Sequence, residues 1–180
     1  MFLMQWQIKT AHFQKDFPIT NNRTMDELVS SQNQIPMDCS SSSSQLAKAL
    51  IERLHQEYLD TNEFSLDLLA ALYHCFGNTF ERALKQVDSK PLILYKSTAG
   101  QQLWKVQSSD DTSIYILPHV NFCKCEVYKY QVLQQNIELT CKHYLSAHLN
   151  YARKMYQVEQ ISDKTMRELL RTVYISPGYV

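Results

Sequence analysis

Residues 122–145 read FCKCEVYKYQVLQQNIELTCKHYL, and the reading of the whole chain turns on the purpose of the three cysteines and the histidine they contain. Cys123 and Cys125 stand two apart, and after an intervening fifteen residues Cys141 and His143 again stand two apart. Zinc favours four soft or borderline ligands in a tetrahedron, and three thiolates with one imidazole are a common structural set. On an extended strand, residues two apart share a face and lie about 6.6 Å apart, so Cys123 and Cys125 can lean toward one ion. In a helix, residues two apart point to opposite sides. Cys141 is therefore expected at or before a helix cap, with His143 in the first turn. Four protein ligands leave no open position, so such a metal would be structural rather than catalytic.

From the spacing alone, other readings of these side chains remain: buried core thiols, or a redox pair. His119, four residues before Cys123, is an alternative to His143, whereas His148, further along the same helix, is expected to face largely away. Both are otherwise read as ordinary surface or core histidines.

Length and composition bound the rest. The chain has 180 residues, 44% of them hydrophobic and 20% charged, which suits one modest globular domain with a loose extension. Eighteen basic residues balance eighteen acidic ones, so no global field draws the protein to nucleic acid or to an anionic membrane. The apolar start MFLMQWQIKT is interrupted by Gln5 and Gln7, and no basic residue precedes it. It matches neither a secretory signal nor a membrane span, which places the chain in the cytosol or nucleus with reduced thiols.

Residues 1–44 mix polar runs with scattered apolar residues and end in five serines, and they are read as a flexible or loosely docked arm. A helical region is expected over 45–90. Leu46, Leu50, Leu54 and Tyr58 form one apolar stripe, and a second helix over SLDLLAALYHCF stops at Gly77. Asn78 and Glu81 then open TFERALKQV in the manner of a capping box. Within 91–175 the period changes to two: LILYKS, QLWKVQ and TSIYILP, separated by turn-forming clusters, predict a short antiparallel three-stranded meander. Leu145, Leu149, Ala152 and Tyr156 predict a helix after the cysteines, and Ser162 opens a last one. The fold class expected is α+β: amino-terminal helices, meander, metal site and carboxy-terminal helices.

The order of these features resembles the SWIM zinc-finger family. Within it, ALKQVDSKPLILYKSTAGQQLWKV, FCKC, CKHYLSAHL and ISDKTMRELL are similar to the small SWIM-domain subunits of Shu-type recombination mediators, over roughly residues 64–170. All four positions of the family's Cys-x-Cys and Cys-x-His pattern match. The resemblance therefore implies one structural zinc held by Cys123, Cys125, Cys141 and His143. It also implies a nuclear, non-enzymatic subunit that works with a RecA-like recombinase paralogue, supports recombinase filaments, and meets single-stranded DNA only through the complex. Residues 1–44 have no counterpart in that pattern.

No phosphate-cradling glycine loop occurs, so ATP chemistry would belong to a partner. Lys124, Lys129, Lys142, Arg153 and Lys154 outnumber Glu126 and Glu138 and alternate with tyrosines. This mixture could track a single strand, and it equally suits a solvated face over packed rings. Leu66, Leu69, Tyr73 and Phe76 are read as interface anchors or as core. Cys75 is read as a small core residue and Cys39 as a free thiol. Two rival functions follow from the same residues: a thiol-dependent enzyme using Cys123 or Cys125, and an autonomous nucleic-acid-binding finger.

Overall fold

The computed structural model describes residues 39–175, apart from residues 90 and 109 and the side chains of 39–42. The expected arm lies outside the described residues through residue 38. Helix α1 (Cys39–Thr61) reaches back through the serine run and buries Ala47, Leu50, Ile51 and Leu54, while Leu46 is left exposed. Helix α2 (Leu66–Ser89) is broken at Gly77, whose φ of 49° and ψ of −131° lie outside helical space. That left-handed φ is open to glycine and costly for other residues, so the stop expected there becomes a kink with helix on both sides. Leu69 and Phe76 are core residues, Tyr73 is half-buried and Leu66 is exposed.

Strands β1 (Leu92–Ser97), β2 (Gln102–Gln107) and β3 (Ser113–Ile116) follow. They pair antiparallel in sequence order, with Leu94 opposite Trp104 and Trp104 opposite Ile116. A π-helical turn (Tyr128–Gln134) and helix α3 (Lys142–Ala152) come next. Then the structure departs from expectation. The sheet is not a three-stranded antiparallel meander but a four-stranded mixed sheet ordered β3-β2-β1-β4, in which β4 (Tyr156–Ile161) runs parallel to β1. Lys154, at φ 56°, ends the helical course after Ala152. Tyr156 therefore opens a strand instead of adding a turn to the helix. The largely exposed residues of β4 gave no alternation to betray an edge strand.

Helix α4 (Asp163–Tyr174) starts where expected, with the Ser162 side chain accepting a hydrogen bond from the Thr165 N–H. Asp163 accepts from Thr98 Oγ1 at 2.8 Å and from the Ala99 N–H at 3.0 Å, clasping the β1–β2 turn. The sheet is covered on both faces. Leu92, Leu94, Trp104, Val106 and Ile116 pack with α1, α2 and α3, whereas Leu103 packs with Met166 and Val173 of α4 on the other side. Alternation along β1 and β2 thus feeds two layers, and each fully buried leucine contributes about 1.5–3 kcal/mol. Among the described residues, no helix is long and apolar enough to cross a membrane.

Candidate metal centre

The four side chains of the opening motif meet at one end of this layered core. Cys141 is the N-cap of α3 in an extended conformation (φ −110°, ψ 165°), and His143 lies in the first turn, the arrangement that two-residue spacing requires of a shared ligand set. Cys123 and Cys125 are not on a strand, contrary to the expectation. They occupy an irregular segment that bends at Cys125 into the π-helical turn. The Cys125 sulfur accepts a hydrogen bond from the Tyr128 N–H at 3.4 Å and its carbonyl accepts one from the Lys129 N–H at 3.0 Å, so the thiol caps the turn that follows it. The bend brings the two sulfurs together where a straight strand would only align them.

Donor atoms of Cys123, Cys125, Cys141 and His143 all lie within 4.8 Å of one another, and among the described residues no other set of three or more ligand-type side chains converges so closely. Cys123 and Cys141 are fully buried and His143 is 3% exposed. His143 Nδ1 lies 3.9 Å from Cys123 Sγ, while Nε2 lies 3.1 Å from Ser108 Oγ just beyond β2. One ring nitrogen faces the sulfurs and the other is held by a hydroxyl, which fixes the ring's orientation and is the usual second layer around a ligating imidazole.

The long connection between the two halves of the motif is itself latched. Asn121 donates to the Leu139 carbonyl at 2.9 Å and accepts from Thr140 Oγ1 at 2.7 Å, and the Tyr128 hydroxyl donates to the Asn121 carbonyl. Thr79 of α2 reaches across to Glu138 at 3.1 Å. These bonds bring residues 121 and 140 side by side and pre-shape the pocket of sulfurs.

The electrostatics of the cluster fit a cation. Hydrogen bonding among the thiols, chiefly with Cys125, pushes Cys123 up to about 12. Burial, chiefly, holds Cys141 well above the ordinary thiol range, whereas hydrogen bonds from Cys123 and Cys141 pull Cys125 down. Two buried sulfurs, the half-buried sulfur of Cys125 and a buried imidazole are a donor set that a divalent cation would complete, letting all three thiols ionise.

Other residues singled out in the sequence lie elsewhere. His119 is exposed on the turn after β3 and is not part of the cluster. His148 is buried in α3 against His55 of α1. Lys129 lies 5.6 Å from the centre of the Tyr130 ring. Cys75 is half-buried in α2 with its thiol pushed up by burial, and the Cys39 side chain lies outside the described residues. Ser108, Asn121 and Tyr128 support the site yet carry no motif spacing. Only their contacts across the fold reveal them.

Comparison with known proteins adds independent information. Zinc finger SWIM domain-containing protein 7 of Danio rerio is 30% identical over 69% of this chain and 89% of its own length. The proteins of the same name from Mus musculus and Homo sapiens are 26% and 29% identical, over 70% and 58% of this chain and 83% and 74% of theirs. No family model and no solved structure matches the chain.

Proposed function

Because the chain belongs to the family of zinc finger SWIM domain-containing protein 7, we propose that Cys123, Cys125, Cys141 and His143 hold one structural zinc and that the zinc-fixed domain is a non-enzymatic subunit of a Shu-type recombination mediator. The observation that carries the metal assignment is the convergence of four donor atoms within 4.8 Å in a buried cluster. With four protein ligands the ion has no open position, and its chemistry is to cross-link the segment after β3 to the start of α3. Free energies of roughly 10–16 kcal/mol for zinc-finger peptides exceed the net stability of most domains, so this cross-link would govern whether the domain folds.

The protein acts in the nucleus, bound to a RecA-like recombinase paralogue, and meets single-stranded DNA through that complex. Balanced charge supports this, because it gives the chain no long-range attraction for DNA of its own. A preformed docking surface follows from a rigid α3, since ordering before binding lowers the cost of association.

Co-purification from nuclei tests the reading. The wild type and a form lacking residues 1–44 should each retain a RecA-like ATPase paralogue, and Cys141→Ala should lose it. Recovery of no such ATPase with the wild type would overturn the recombination role while leaving the zinc assignment to its own test.

A further inference from the structure

Between α1, the sheet and α3 lies an open cavity of about 880 Å³, walled in part by Trp104, Tyr144 and Tyr151. Three histidines from three separate elements line it: His55 of α1, His148 of α3 and His119 of the turn after β3. His55 Nε2 lies 2.8 Å from His148 Nδ1, so two ring nitrogens point at each other and share at most one proton. His148 is boxed by the rings of Trp104 at 4.9 Å and Tyr144 at 4.4 Å, and its Nε2 is buried with no hydrogen-bond partner among the described residues.

A buried imidazole with one nitrogen unsatisfied is a poor choice if only packing is needed, because an apolar ring would fill the space without the desolvation cost. The nitrogen that does have a partner is the one that faces His55. We propose that His55, His148 and His119 form a second divalent-metal site, of the borderline class that imidazole selects, which pins α1 onto α3. Zinc–nitrogen bonds of about 2.0–2.1 Å put ligand nitrogens a little over 3 Å apart, so the ion enters once the His55–His148 pair parts, both rings turn their lone pairs toward it, and the shared proton moves to the far nitrogen of the ring that carries it.

His119 supplies the third nitrogen by swinging inward. It is exposed on a turn and lines the same cavity as the other two rings. Glu52 also lines the cavity, three residues before His55 on α1, where a carboxylate or a water could fill the fourth position. Burial, followed by the neighbouring imidazoles, holds His148 down at about 3 and His55 below its ordinary range. Both rings are thus in the neutral, ligand-competent form at neutral pH. An accessible site with three imidazoles binds more weakly than the four-ligand cluster, and it responds to metal supply where that cluster does not.

The inference stands apart from the recombination reading and is tested on the tag-free, full-length protein carrying its tightly held zinc. Equilibrium dialysis against micromolar free zinc should raise the zinc content of the wild type by one ion per chain. His55→Ala and His119→Ala should each weaken that extra binding by about tenfold or more. Cobalt added at the same site should give ligand-field bands without the near-ultraviolet charge transfer of a thiolate ligand, which separates it from the cysteine cluster. His119 is exposed, so its variant keeps the fold even if His55→Ala does not. Failure of the wild type to take up a second ion would overturn the proposal, as would uptake unchanged in His119→Ala.

Discussion

His143 Nε2 lies 3.1 Å from the Ser108 hydroxyl, so the only imidazole of the cysteine cluster is steered by a residue 35 positions earlier in the chain. The contact ties the end of the β2 segment to the first turn of α3. Ser108→Ala removes it without touching a sulfur. Losing such an outer partner typically costs 10–100-fold in metal affinity, and we expect about that loss in a competition with a zinc chelator. An affinity equal to the wild type would mean that the imidazole is not oriented through Ser108.

Gly77 is the second point of leverage. Its φ of 49° is left-handed, and beyond its chain neighbours and the local helix backbone no atom lies within 4 Å of where a Cβ would stand. The cost of Gly77→Ala is therefore conformational rather than a clash. We expect about 1–3 kcal/mol of destabilisation by urea unfolding, with the midpoint shifted and the slope unchanged.

Removal of the Asn121 latch should loosen the connection between the two halves of the motif. Asn121→Ala leaves the Thr140 hydroxyl and the Leu139 carbonyl without these partners, at about 1–3 kcal/mol for a buried group. Hydrogen exchange should rise over residues 121–141 and remain low in β1 and β2. Equal protection over residues 121–141 in the variant and the wild type would show that the latch is idle.

Acid sensitivity should reside partly in the imidazole pair. His148 is held down at about 3 when folded and returns to the ordinary value near 6.5 when unfolded, so the unfolded chain binds the extra proton. The neutral ring's contribution is therefore full above about pH 6.5 and is lost progressively as pH falls toward 3. The groups that face it are His55 of α1, His119 of the turn, and Trp104 and Tyr144. His148→Gln should be less stable at neutral pH, with a shallower fall in Tm between about pH 7 and 5 than the wild type. A parallel fall in both would place the acid sensitivity elsewhere, such as in the thiolates.

The isolated chain should neither hydrolyse ATP nor bind single-stranded DNA tightly, since it has no phosphate loop and a formal net charge of zero. Filter binding and an ATPase assay at about 150 mM salt check this. Nanomolar DNA binding by the monomer would favour the autonomous finger instead.

Much of the site could be read in the sequence because ligand chemistry is local. Two-residue spacings fixed Cys141 at a cap and His143 in the first turn, and periodicity identified α1, α4 and the first three strands. What escaped was non-local. Strand β4 is an exposed edge whose only mark is its pairing with β1, and Tyr156 happened to continue a helical stripe. The Cys123–Cys125 segment looked extended because its bend depends on the Tyr128 N–H bonding to a sulfur. The partnership of His148 with His55 spans 93 residues, and no spacing rule could have joined them.

The most direct measurement is the zinc content of the purified chain after gel filtration, taken together with thermal unfolding, for the wild type, Cys141→Ala, His143→Ala and His119→Ala. We expect one tightly held zinc in the wild type and in His119→Ala, with closely similar melting. We expect loss of that zinc and of the cooperative transition in Cys141→Ala and His143→Ala, because removing one ligand opens the metal's link between the Cys123 segment and the cap of α3. Ligand variants that melt like the wild type and keep their zinc would contradict the account, as would loss of the tightly held zinc in His119→Ala.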